Sequence, residues 1–116
     1  MTIGSYLQKE PKTPERILRK IYDTAKGQSC WIRFEDICVG GKETTVFAHL
    51  NAPGLGSGKA LKSEYGCPAC HGCHYELDQG TVLERDFKRG RHFEQTLRYL
   101  HWLRIHNYWE FKNGRS

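Results

Sequence analysis

Cys67-Pro-Ala-Cys70-His71-Gly-Cys73-His74-Tyr-Glu-Leu-Asp78 is the stretch whose reading decides the fold. Two C-x-x-C steps overlap in it, Cys67 to Cys70 and Cys70 to Cys73. Thiolates and imidazoles are the ligands zinc prefers, and a C-x-x-C step lets one turn of chain grip an ion from two points. A second pair stands upstream as Cys30 and Cys38. A pair on a hairpin and a pair ahead of a helix together close four thiolates around a structural Zn²⁺. The residues after the cysteines bear on which step supplies the second pair. His74 and Asp78 lie four residues apart, so on a helix they share one face. A His and a carboxylate converging in this way can hold a second divalent ion and leave positions open for water. With Cys70 and Cys73 on zinc, His74 opens the helix directly after the anchor. With Cys67 and Cys70 on zinc, His71 takes that place, and Tyr75 falls where the next ligand is wanted. The reading therefore favours Cys30, Cys38, Cys70 and Cys73 for zinc, with Cys67 as the alternative and His71 open to the second ion.

Upstream, Thr44-Thr-Val-Phe-Ala-His49 is β-branched and aromatic and reads as a strand ending in a histidine. Trp31, Ile32 and Phe34 suggest an earlier strand, and Gly40-Gly41 a turn, so a β-hairpin is expected over these segments. A lone His on a strand is usually a packed residue. His49 differs because a metal-bearing helix follows across a loop. An imidazole of near-neutral pKa can take a proton from water, and a divalent ion opposite it can stabilise charge developing on a phosphate. Hairpin, His49, loop and metal helix make a single-metal phosphodiesterase layout. The loop, residues 51–63, is glycine-rich and contains Gly-Ser-Gly-Lys59. It is no phosphate loop, because Pro53 stands at the leading glycine and Ala60 replaces the Ser or Thr after the lysine.

Farther out, residues 1–12 read as a flexible polar arm, and residues 13–116 as one domain. Thr13 can cap a helix that opens with Pro14, carries Ile17, Leu18, Ile21 and Tyr22 at helical spacing, and stops at Gly27. A long C-terminal helix is expected over about 91–111, its core side drawn from Phe93, Leu97, Leu100, Leu103 and Ile105 with aromatic neighbours. Residues 81–90 read as a charged connection. The 116 residues carry 18 Lys plus Arg against 13 Asp plus Glu, a formal charge of +5, which favours an acidic partner such as nucleic acid. Lys59, Lys62, Lys88, Arg89 and Arg91 are the candidate phosphate contacts. The N-terminus lacks the apolar run of a signal peptide, and no stretch approaches the roughly 18 apolar residues of a membrane helix. A cytoplasmic, reduced protein is expected, and there five cysteines are metal ligands before they are disulfides.

Together these residues have a resemblance. Strand, His49, loop and helix with His74 and Asp78 resemble the ββα-metal, or HNH, nuclease fold. More closely, Cys30-x7-Cys38, Val-Phe-Ala-His49-Leu and Cys70-x2-Cys73-His74-x-Glu76-Leu77-Asp78 are similar to the small prophage-encoded nucleases of the YbcO-like family, over about residues 25–80. The resemblance implies an α+β fold. A small zinc-stabilised ββα-metal core, about 28–80, would be flanked by N- and C-terminal helices. It implies a phage-type endonuclease acting on DNA, with His49 as general base, His74 and Asp78 on a catalytic Mg²⁺ or Mn²⁺, and the four cysteines on structural zinc. Two departures stand out. Many HNH enzymes place a metal ligand just before the base, where this chain has Ala48, so a third ligand falls to His71, Asn51 or solvent. The middle Asn has no clear match, Asn51 and Ser63 being candidates by location.

Two other readings compete. A non-catalytic zinc module binding nucleic acid or protein would need no trio of His49, His74 and Asp78, and the spacing is not that of a two-Cys, two-His finger. A c-type haem fits C-x-x-C-H at either step, but the two motifs overlap and no export signal precedes them. The aromatic C-terminal helix could pack on its own core or, in a homodimer, against a second copy.

Overall fold

The structure, a computed structural model, describes residues 13–50 and 64–106. The expected arm (1–12), Asn51, Lys59, Lys62 and Ser63 of the loop, and the C-terminal helix beyond residue 106 lie outside the described residues.

The apolar spacing near the N-terminus forms a helix, α1 (Glu15–Ala25), that buries Ile17, Leu18, Ile21 and Ala25. Pro14 takes the cap position with an extended ψ of 146°. Thr13, expected as the cap, instead donates its hydroxyl to Glu64 at 2.9 Å, tying the start of α1 to the chain just past the long loop. Gly27 ends the helical segment at a φ of +80°, a conformation an L side chain resists.

The expected strand at Trp31–Phe34 does not form. Arg33 and Asp36 have φ of 52° and 63°, and Ile37 and Cys38 both donate their backbone N–H to the Phe34 carbonyl. The segment is a folded turn that buries Ile32 and Phe34 in the core. The physical reason lies in the cysteines. An extended run from Cys30 to Cys38 would carry them roughly 26 Å apart at a strand's rise per residue, whereas the turn brings their sulfurs together.

The antiparallel pair is instead β1 (Val46–His49) with β2 (Gly66–Ala69), registered Val46 to Ala69, Phe47 to Pro68, Ala48 to Cys67 and His49 to Gly66. The expected hairpin partner of β1 lay upstream; the actual partner is the approach to the metal segment. Pro68 disguises β2, yet a proline is tolerated in an edge strand that leaves its missing N–H unused. Gly66 is required here, since a Cβ would press into the Ala48 carbonyl and the Phe47 ring.

Beyond β2 come α2 (His71–Asp78) and α3 (Arg85–Ile105). Residues 85–90, expected as a connection, are the first turns of α3. Its buried row is Lys88, His92, Thr96, Tyr99 and Leu103, a helical spacing of four, four, three and four. Of the apolar residues expected to face the core, Leu103 does so, but Phe93, Leu97 and Ile105 are 53%, 54% and 61% exposed. Lys88, His92 and Tyr99 of the inner row find polar partners outside α3. The Tyr99 hydroxyl meets Thr24 in the last turn of α1 and Gln28 just beyond it, and its ring packs edge-on against Trp31 at 4.9 Å. The result is a small α+β fold: among the described residues, one two-stranded sheet and three helices around a core of Ile17, Ile21, Ile32, Phe34, Phe47 and Tyr99. No described helix is long and apolar enough to cross a membrane.

Candidate metal and active site

The turn after α1 and the start of α2 meet at sulfur. The ligand atoms of Cys30, Cys38, Cys70 and Cys73 all lie within 4.8 Å of one another, and Cys70 Sγ stands 3.7 Å from Cys38 Sγ. Backbone amides converge on the same atoms. Arg33 N–H points to Cys30 Sγ at 3.4 Å, Phe34 N–H to Cys73 Sγ at 3.4 Å, and Cys73 N–H to Cys70 Sγ at 3.5 Å. The left-handed backbone at Arg33 lies within the turn that presents two of these amides. Gly72 permits the close approach of α2, since a Cβ there would strike the Ile37 carbonyl.

The electrostatics of the cluster suit a cation at its centre. A hydrogen bond from Cys73, supported by the amides, pulls the Cys30 thiol down to about 4 against the cost of burial. The same bond and then burial push Cys73 well up, and burial is the main cause raising Cys38. One thiolate forms at its neighbours' expense, so full ionisation needs a positive charge at the centre. Four converging sulfurs with N–H donors around them could hold a metal ion.

Cys67 lies outside this group, fully buried in β2, where burial pushes its thiol pKa up. The structure thus gathers the quartet favoured by the His74–Asp78 spacing. His71 is exposed at the first turn of α2, its backbone N–H donating to the Thr44 hydroxyl at 3.1 Å.

A second polar site stands beside the cluster. On α2, His74 Nε2 and Asp78 Oδ2 are 3.2 Å apart, with side chains 35% and 43% exposed. His49 sits at the exposed end of β1, its ring edge-on to Phe47 at 5.1 Å and to Tyr22 at 4.9 Å. Partial burial, and after it the nearby His74, lower the His49 pKa below its ordinary value. Among the described residues no third His, Cys, Asp or Glu closes on the His74–Asp78 pair as tightly as the sulfurs close on one another.

Two residues of this neighbourhood escape a reading of the sequence. Tyr22 looks like only a core position of α1, yet it braces His49. His92, in the buried row of α3, has its Nε2 3.0 Å from the Ala48 carbonyl and lies within electrostatic reach of Asp78, His74 and His49. The one signal for it in the sequence is spacing, four residues after Lys88 and four before Thr96.

The candidate phosphate contacts divide. Lys88 is turned inward: its ammonium donates to the Glu76 and Gly80 carbonyls at 2.8 Å each and pairs with the Glu76 carboxylate at 3.3 Å. It joins α2 to α3 and is not free to meet a phosphate. Arg91 donates to the Ile32 carbonyl at 2.7 Å and lies over the Phe34 and Phe87 rings. Arg89 is exposed.

Fold and site define a small α+β protein in which a sulfur cluster that could bind metal fixes the root of a helix bearing a separate His–Asp pair. The chain belongs to the family described as "Putative nuclease YbcO", whose model matches residues 19–108. It is 38% identical over 58 residues to "Putative nuclease YbcO" of Escherichia coli (strain K12), a match covering 49% of this chain and 60% of that one. The same figures hold for "Putative nuclease ybcO" of Enterobacteria phage 82. The chain thus spans 60% of the length of the curated relatives it matches. Among solved structures it is similar to "Structure of a putative bacteriophage protein from Escherichia coli str. K-12 substr. MG1655", with a TM-score of 0.56 and 27% identity, covering 71% of this chain and 94% of that one.

Proposed function

We propose that this protein is a metal-dependent endonuclease of the HNH, or ββα-metal, type that hydrolyses DNA phosphodiester bonds. The observation that carries the reading is the placement of His49 at the end of β1 within electrostatic reach of His74, whose partner Asp78 shares its face of α2. A structural module has no use for that trio. The names of the relatives add a nuclease and a phage association.

Cys30, Cys38, Cys70 and Cys73 hold structural Zn²⁺ in this reading, which suits an all-sulfur set with amide donors. His74 and Asp78 hold Mg²⁺ or Mn²⁺ at a half-exposed position open to water and substrate. When bound, that ion supplies positive charge against the phosphate and the leaving oxygen. The chain's own contribution is geometric and acid–base. The zinc cluster sets the direction of α2, and hence of His74 and Asp78. Phe47 and Tyr22 hold the His49 ring, whose lowered pKa keeps it neutral near pH 7 and able to take a proton from the attacking water. Arg89, with Lys59 and Lys62 of the loop, neutralises backbone phosphates without reading sequence.

Supercoiled plasmid incubated with the zinc-loaded protein and Mg²⁺ or Mn²⁺ tests this. The wild type should nick, and His49→Ala should lose at least about a hundredfold in rate, the usual contribution of a positioned general base. A wild type that binds DNA but never nicks it, or a variant that nicks equally well, overturns the proposal.

A further inference from the structure

The His74–Asp78 pair offers two protein ligands, and the residue before His49 is Ala48, whose side chain can offer none. The carbonyl of that same Ala48 is met by a side chain of α3, His92. His92 is 6% exposed, so its ring is fixed by packing. Its Nε2 contacts a carbonyl oxygen, which can only accept, so Nε2 carries the hydrogen and Nδ1 of the neutral ring carries the lone pair. Nδ1 has no hydrogen-bond partner among the described residues. One nitrogen anchored on a backbone carbonyl and the other left with a free lone pair is how proteins prepare a histidine to face a metal. The charges of Asp78, His74 and His49 all reach this ring.

We propose that His92 is the third protein group of the ion site, its Nε2–H anchored on the Ala48 carbonyl and its Nδ1 turned to the ion's coordination shell. The inference rests on the ion site of the proposed function. Since His92, His74 and Asp78 form no group of ligand atoms as tight as the sulfurs, the proposal has Nδ1 act through a bridging water. This suits Mg²⁺ and Mn²⁺ sites, where Mg²⁺ in particular keeps several waters of hydration. The same contact ties the strand end that carries His49 to α3.

The test is Mn²⁺ binding to the full zinc-loaded chain, followed by electron paramagnetic resonance, with zinc content and melting temperature measured alongside. His92→Gln keeps an amide N–H for the Ala48 carbonyl but has no Nδ1; His92→Asn keeps a polar acceptor near Nδ1 and drops the anchor. The expected result is a loss of Mn²⁺ affinity of about 10- to 100-fold for His92→Gln, the usual effect of removing an outer group from a metal site, with zinc retained and a smaller loss for His92→Asn. Affinity for Mn²⁺ unchanged in both variants overturns the inference and leaves the nuclease reading standing. A wild type that binds no Mn²⁺ at all overturns both.

Discussion

Cys73→Ala and Cys67→Ala remove the same atom from two buried positions, but one sulfur belongs to the cluster and the other does not. Cys73 Sγ is one of four converging ligand atoms and accepts the Phe34 N–H. Its loss leaves three sulfurs and a buried amide without an acceptor, the latter alone costing about 1–3 kcal/mol. A structural zinc contributes about 10–16 kcal/mol in small zinc-folded peptides, against a total stability of about 5–15 kcal/mol for a typical domain, so a ligand loss removes the whole margin. Cys67→Ala deletes one buried sulfur beside Thr96 that is not among the four clustered ligand atoms. The methylene-sized void costs about 1 kcal/mol, a fall in melting temperature of about 4 °C for a domain of this size. The assay is zinc per chain after dialysis against a weak chelator, with thermal melts followed by circular dichroism. Wild type and Cys67→Ala should each keep about one zinc and melt cooperatively, while Cys73→Ala should keep none and show no cooperative melt. Zinc lost from Cys67→Ala, or retained at the wild-type level by Cys73→Ala, would refute the assignment of ligands.

The two basic residues next to each other on α3 should behave differently in DNA binding. Lys88→Met should lower the urea midpoint and leave the salt dependence of DNA affinity unchanged, because the ammonium is spent on the Glu76 and Gly80 carbonyls. Arg89→Ala should leave stability unchanged and reduce the salt slope by about one phosphate contact; the reverse pattern would sink the inward placement of Lys88. The pH profile of nicking is set by His49. The base must be neutral and its pKa is lowered, so the acid limb of the rate should have its midpoint below the ordinary value of about 6.5; a midpoint above that would contradict it. The same depression means the folded chain takes up this proton less readily than the unfolded one. The cost to stability is therefore absent above about pH 6.5 and grows as pH falls toward the lowered folded value, which acid titration of the melting temperature would show.

Much of this protein is legible in local pattern. Ligand chemistry at fixed spacing favours Cys30, Cys38, Cys70 and Cys73, because the helical step from His74 to Asp78 suits that register better, while the choice between Cys67 and Cys73 is made by the fold, which gathers the latter. The four-residue rule also places His74 and Asp78 together, and the apolar spacing of Ile17, Leu18 and Ile21 yields α1. These are facts of sequence because backbone geometry converts separation along the chain into a shared face. Three features are decided only by tertiary contact. The apolar run Trp31–Phe34 looks like a strand, but the need to bring two sulfurs together folds it into a turn. β2 exists because Val46–Ala48 supplies partners for Cys67–Ala69, which no local propensity of Pro68 would suggest. Lys88 and His92 stand in the inner row of α3 because their partners, the carbonyls of Glu76, Gly80 and Ala48, lie in other parts of the fold. A pattern of hydrophobic periodicity cannot see an acceptor held by another part of the chain. For that reason the sulfur cluster is foreshadowed in the sequence, while the contact of His92 with the Ala48 carbonyl emerges only once the chain is folded.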